Sequence, residues 1–124
     1  MFVNSIMKKP IAIDRDISLE ECARILSENN ISSLIFVKKD KIAGIITKGD
    51  IVKNFGKNKK ISEVMTRKVI TIDPEEKVNN AIGVMDENGI SVLPVVSKKN
   101  GLVGVISAKD LLYQACHTDE FLLG

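Results

Sequence analysis

Asn88-Gly89-Ile90-Ser91-Val92-Leu93-Pro94-Val95-Val96 holds a helix stop, a polar hinge and an apolar run, and much of it has already occurred once in the chain. Ile31-Ser32-Ser33-Leu34 with Phe36-Val37 stands 59 residues before Ile90-Ser91-Val92-Leu93 with Val95-Val96. Just beyond, Gly104-Val105-Ile106-Ser107 with Asp110-Leu111 repeats Gly44-Ile45-Ile46-Thr47 with Asp50-Ile51 at an offset of 60. Self-similarity at one period marks a duplicated supersecondary unit.

The flanking segments repeat as well. Leu19, Cys22, Ala23 and Leu26 occupy one helical stripe, and Val78, Ala81, Ile82 and Met85 copy it 59 residues later. Ser18 with Glu21 predicts a capping box, while Asp73, Pro74 and Glu76 predict an N-cap, an N1 proline and an acidic N3. Asn29-Asn30 and Asn88-Gly89 supply left-handed stops. Two hairpins follow, Leu34–Val37 with Ile42–Thr47 around Lys39-Asp40, and Leu93–Val96 with Leu102–Ser107 around Asn100-Gly101. A second helix comes next, with Ile51, Val52 and Phe55 matched by Leu111, Leu112 and Ala115. Short runs at Ile11–Ile13 and Val69–Ile72 complete strand-helix-strand-strand-helix, written twice.

Strands as uniformly apolar as Ile42, Ala43, Ile45 and Ile46 need cover on both faces. A mixed α/β (α+β) architecture of two βαββα repeats, related by a pseudo-twofold axis with clefts along their boundary, provides it. The expected organisation is repeat 1 over residues 1–56, a linker at 57–61, repeat 2 over 62–117 and a tail at 118–124.

Composition narrows the function classes. The 124 residues are 44% apolar and 27% charged, which is globular usage, and 18 basic against 16 acidic side chains leave a net charge of +2. That balance does not mark a dedicated nucleic-acid or membrane binder. The densest basic cluster, Lys53, Lys57, Lys59 and Lys60, reads as a solvated linker. Cys22 and Cys116 lie in apolar helical patterns and read as buried free thiols of a reducing compartment. With no signal-type apolar stretch and no run of 18 apolar residues, a soluble cytoplasmic protein is expected. Met7, Met65 and Met85 read as core or strand-entry residues, His117 as a surface residue, and Phe121-Leu122-Leu123 as a frayed or docking tail. The sequence offers no catalytic constellation, no Gly-rich phosphate loop and no metal-ligand spacing, so no enzyme activity and no cofactor are expected.

The βαββα unit, with its Asn88–Val96 segment and the ending Gly104-Val105-Ile106-Ser107-Ala108-Lys109-Asp110-Leu111, resembles the cystathionine-beta-synthase (CBS) domain family. Two in tandem, from about Ile6 to Ala115, resemble a Bateman module. The resemblance implies adenosine-nucleotide sites between the repeats. One would combine Ile45, Thr47 and Asp50 with Val69, Ile70, Ser91, Val92 and Pro94. The other would combine Val105, Ser107 and Asp110 with Ile11, Ala12, Ile31, Ser32 and Ser33. In the family the Asp holds ribose hydroxyls, the Ser/Thr reaches phosphate and apolar strand residues sandwich adenine. The residue types suit this: a carboxylate accepts from two hydroxyls, a helix start favours an anion, and Ile and Val give a dry stacking surface. Lys48 and Lys109 are further candidates for neutralising phosphates. Repeat 1 departs from the pattern, with Ile35 where repeat 2 has Pro94.

Thr47-x-x-Asp50 and Ser107-x-x-Asp110 also read as capping boxes for the helices that follow, with no ligand involved. Gly44 and Gly104, placed identically before both pairs, favour a further role. The resulting expectation is a regulatory sensor binding AMP, ADP, ATP or S-adenosylmethionine and acting through a homodimer, a higher oligomer or a partner protein. The helical faces around Ile51, Val52 and Phe55 and around Leu111, Leu112 and Ala115 are the candidate interface. The alternatives are a nucleic-acid binder using the basic linker with Lys38-Lys39 and Lys98-Lys99, and a purely structural dimerisation module. Steep salt dependence would single out nucleic-acid binding.

Overall fold

The computed structural model describes residues 1–117, with side chains through Gln114. The expectations for Ala115, Cys116, His117 and the 118–124 tail fall on side chains outside that description. A 3-10 turn at Val3–Ser5 precedes β1 (Ala12–Ile13), α1 (Leu19–Glu28), β2 (Ser33–Lys38), β3 (Lys41–Thr47) and α2 (Lys48–Lys53). Then come α3 (Ile61–Val64), α4 (Val78–Asn88), β4 (Val92–Ser97), β5 (Gly101–Ser107) and α5 (Ala108–His117). The chain divides into two compact units, one of Ile11–Val69 and the other of Met1–Pro10 together with the chain from Ile70 onward.

In the first-repeat unit, β1 runs parallel to β2 through Ala12↔Ile35 and Ile13↔Phe36, and β2 pairs antiparallel with β3 from Ser33↔Thr47 to Lys38↔Lys41. Its core joins Ile17, Leu19, Cys22 and Leu26 of the α1 region to Leu34, Phe36 and Ile46 of the sheet and to Ile61 and Met65. The second-repeat unit pairs β4 with β5, from Val92↔Ser107 to Ser97↔Gly101. Its core is Val3, Ile72, Val78, Ala81, Met85, Leu93, Val95, Ile106 and Leu111. Each large apolar side chain so buried contributes roughly 1.5–3 kcal/mol relative to exposure.

The shift in repeat offset from 59 to 60 has a structural cause. In repeat 1 a two-residue turn, Lys39 at φ 53° and Asp40 at φ 63°, links β2 to β3. In repeat 2 three residues separate Ser97 from Gly101, and Gly101 takes the left-handed conformation at φ 71°. Both are hairpin solutions compatible with strand twist. Each hairpin also carries a bulge at the same place, leaving Ala43 and Val103 without a direct cross-strand partner.

Two sequence expectations are corrected. The strand expected at Val69–Ile72 reduces to one parallel bridge, Ile72↔Val95. In repeat 1 the Ile35 N–H donates to the Ile11 carbonyl at 3.3 Å, but Pro94, at the matching position, has no N–H to give. The repeat-2 counterpart of α1, α4, likewise starts at Val78 with Lys77 as N-cap and no side-chain cap, not at Pro74. Asp73 Oδ1 accepts instead from the Glu75 N–H at 2.8 Å in a local turn. The Pro74 and Glu76 carbonyls take the Asn4 and Val3 N–H groups, and Val78 N–H donates to the Met1 carbonyl, so these groups are not free to extend the helix. The first cap is half as expected: Ser18 Oγ accepts from Glu21 N–H at 3.1 Å, while the Glu21 carboxylate lies toward Arg15 at 3.8 Å. Asn30, at φ 51°, and Gly89, at φ 62°, provide the left-handed stops.

Gly44 and Gly104 are needed where methionines cross the sheets. A Cβ on Gly44 would stand 2.7 Å from Met65 Cγ and 3.0 Å from the Thr66 carbonyl oxygen. On Gly104 it would stand 2.5 Å from Met7 Sδ and 2.9 Å from Met7 Cγ. The segment after each methionine then bonds both ways to its strand, Thr66 with Ile45 at 3.0 Å and Lys8 with Val105 at 2.9 Å. Each repeat's sheet is thus crossed by a segment lying outside its hairpin, Met7-Lys8 in one unit and Met65-Thr66 in the other.

Candidate ligand-binding site

At the end of β3, Thr47 is extended (φ −109°, ψ 166°) and becomes the N-cap of α2. Asp50 Oδ2 accepts from the Thr47 N–H at 2.9 Å and from its hydroxyl at 3.1 Å, and Asp50 N–H donates to Thr47 Oγ1 at 3.3 Å. Repeat 2 builds the same box. Asp110 Oδ2 accepts from the Ser107 N–H at 3.2 Å and hydroxyl at 2.8 Å, and Asp110 N–H donates to Ser107 Oγ at 3.1 Å. The capping reading is therefore realised in both repeats, and the glycines before them have a packing reason of their own.

Each box lies beside its own repeat's serine segment. Ser33 pairs with Thr47 and the Ser32 carbonyl accepts from Lys48 N–H at 3.1 Å; Val92 pairs with Ser107 and the Ser91 carbonyl accepts from Ala108 N–H at 2.8 Å. Those bonds use most of the amides expected to be free for an anion, leaving Gly49 N–H and Lys109 N–H without an acceptor among the described residues. Ile45 and Val92 are buried, as is Pro94; Ile11, Ile31, Val69, Ile70 and Val105 are half-buried. Ala12, Ser32, Ser91, Lys48 and Lys109 are exposed.

The carboxylates differ in their second oxygen. Lys8 Nζ lies 2.8 Å from Asp110 Oδ1, whereas Asp50 Oδ1 has no protein partner among the described residues. Lys8 was not among the residues singled out from sequence. Aligning Met7 with Met65 makes Lys8 the equivalent of Thr66. Near Asp50, the buried Cys22 thiol is pushed up to about 11, chiefly by burial and secondarily by the Asp50 carboxylate.

Grooves of about 410 and 500 Å³ lie between α1 and α2, lined by Ala23, Ile51, Val52 and Phe55 among others. Of the candidate residues only Lys48 borders them. Among the described residues no His, Cys, Asp and Glu group could hold a metal ion, and no helix is long and apolar enough to cross a membrane.

The CBS domain pattern matches residues 3–57 and again residues 61–115. The chain belongs to the CBS-domain family. As a tandem CBS pair it is 38% identical to the CBS domain pair of protein MJ0100 in complex with 5′-methylthioadenosine and S-adenosyl-L-methionine, with a TM-score of 0.87 covering 94% of this chain and 97% of that one. The CBS domain protein PAE2072 from Pyrobaculum aerophilum, complexed with AMP, shares the fold at 20% identity, TM-score 0.86 and full coverage of both chains. In sequence, 84% of the pair matches L-aspartate semialdehyde sulfurtransferase of Methanocaldococcus jannaschii at 41% identity, over 21% of that enzyme. The chain spans between about a fifth and about a third of the length of several curated relatives it matches.

Proposed function

We propose that this CBS pair is a regulatory module that binds adenosine-containing ligands through its two [Ser/Thr]-x-x-Asp boxes. The observation that carries the reading is the repeated carboxylate with one oxygen committed to its helix cap, the other being paired with Lys8 at Asp110 and without a protein partner among the described residues at Asp50. A carboxylate so fixed has an oriented acceptor left for ribose hydroxyls, which a cap alone does not require. The 38% identical pair complexed with 5′-methylthioadenosine and S-adenosyl-L-methionine supports this ligand class. Ligand binding is read out through association with a second copy or a partner. The exposure of Val52 (73%) and Phe55 (88%) on and just after α2 supports that output.

Calorimetric titration with AMP, ATP, 5′-methylthioadenosine and S-adenosylmethionine tests the ligand class. Asp50→Ala should lose about 30- to 150-fold in affinity at its site, the equivalent of about 2–3 kcal/mol for hydrogen bonds to a charged group. A cap with no ligand role predicts instead a loss of about 0.5–1 kcal/mol in unliganded stability and an unaltered ligand-induced thermal shift. Equal shifts in wild type, Asp50→Ala and Asp110→Ala at subsaturating ligand would refute the assignment.

A further inference from the structure

The two boxes share one pattern of backbone bonds, and among the differences between them is the side chain that meets the second carboxylate oxygen. Lys8 and Thr66 each follow the methionine that crosses a sheet glycine, and each bonds both ways to the strand residue after that glycine. At the backbone position that Thr66 holds in repeat 1, repeat 2 has Lys8, whose ammonium lies 2.8 Å from Asp110 Oδ1. Ser107 already engages Oδ2, so in the unliganded protein both oxygens of Asp110 are taken. The lysine side chain is 72% exposed and that of Asp110 only 12%, so the cation can swing away while the carboxylate stays fixed.

We propose that Lys8 is a charge-specificity residue that makes the Asp110 box select phosphate-bearing adenosine ligands, leaving the Asp50 box as the one that accepts adenosine ligands without a phosphate. The proposal rests on the reading that Asp110 receives ribose. Ribose hydroxyls arriving at Asp110 must share or displace the ammonium. The displaced cation remains tethered beside the ligand, where a phosphate satisfies it, a neutral nucleoside leaves it unpaired and a sulfonium is repelled. Breaking an exposed ion pair should weaken adenosine binding by about twofold to fivefold, while a new lysine–phosphate hydrogen bond should strengthen AMP binding by roughly tenfold or more.

The test is calorimetric titration of AMP and adenosine into Asp50→Ala protein, in which the Asp110 box is the remaining site. The same background is then combined with Lys8→Thr, Lys8→Arg or Asp110→Ala. Lys8→Thr should lower AMP affinity about tenfold and raise adenosine affinity about twofold to fivefold, and Lys8→Arg should retain the preference for AMP. The exposed Lys8 side chain can change without disturbing the backbone bonds to Val105, and circular dichroism checks the fold. If Asp110→Ala abolishes binding but Lys8→Thr leaves the AMP-to-adenosine ratio within twofold, the role of Lys8 is refuted and the ribose reading stands. If Asp110→Ala binds both ligands unchanged, or the Asp50→Ala protein binds neither, the Asp110 site falls and the proposal with it.

Discussion

Replacing Gly44 by alanine should destabilise the first-repeat unit, and replacing Gly104 should not destabilise the second to the same degree. Neither glycine has positive φ, so alanine can adopt both backbones and would stabilise each by about 0.4–1 kcal/mol through the unfolded chain. Against that gain stands the added methyl. At Gly44 it meets Met65 Cγ at 2.7 Å and the Thr66 carbonyl oxygen at 3.0 Å. The carbonyl is pinned by the two 3.0 Å bonds between Ile45 and Thr66, and Met65 is itself in the core. Overpacking a site that cannot yield costs about 1–3 kcal/mol, so Gly44→Ala should lose about 1–2 kcal/mol net, or roughly 3–8 °C in melting temperature. At Gly104 all three near atoms belong to the flexible side chain of Met7, which is only half-buried, and the two effects should nearly cancel. Urea titrations followed by circular dichroism measure both. A double-mutant cycle adds Met65→Ala: with the methionine truncated, Gly44→Ala should cost less, with a coupling of about 0.5–3 kcal/mol. Strict additivity, or a greater loss at Gly104 than at Gly44, would refute the argument that the methionine and the pinned carbonyl are what the glycine accommodates.

The Cys22 thiol should resist thiol reagents at neutral pH until the protein unfolds, because it is buried and stays protonated up to about 11. Its unfolded counterpart ionises near 9.0, so its contribution to stability is full below about pH 9 and is lost as pH rises from there toward 11. Cys22→Ala should therefore lose less stability than wild type over that interval; parallel pH–stability curves would contradict this. Phe55→Glu, at a side chain 88% exposed, should leave monomer stability within about 0.5 kcal/mol while shifting sedimentation toward the monomer. An unchanged sedimentation profile would remove the α2 face as the interface.

The duplicated parts of the fold were the legible ones. Leu19, Cys22 and Leu26 and their counterparts Val78, Ala81 and Met85 are buried where their spacing put them, and both hairpins extend to within a residue of the expected ends. These features depend on side-chain period and turn chemistry, which are local. What escaped depends on partners distant in sequence. Val69–Ile72 reads as a strand until one asks which N–H would meet it, and Pro94 has none. Asp73-Pro74 has the composition of a helix start, but the Pro74 and Glu76 carbonyls are claimed by the Asn4 and Val3 N–H groups, some seventy residues away. The [Ser/Thr]-x-x-Asp boxes were visible as chemistry, whereas their asymmetry was not, because Lys8 lies outside both repeated motifs. Gly44 and Gly104, which in sequence favoured a ligand role, are accounted for by Met65 and Met7.

The assignment of Met1–Pro10 to the second-repeat unit and of Ile61–Val69 to the first makes the two halves of the chain interdependent. A single cut in the Gly56–Lys60 stretch would yield two pieces, neither able to build a whole unit. The leading piece would carry most of one unit and the small insert that completes the other, and the trailing piece the reverse. A nicked chain would thus be a split protein whose halves exchange inserts. Reassembly would be a second-order reaction, with a rate and yield set by concentration, although the intact chain achieves the same pairing within itself.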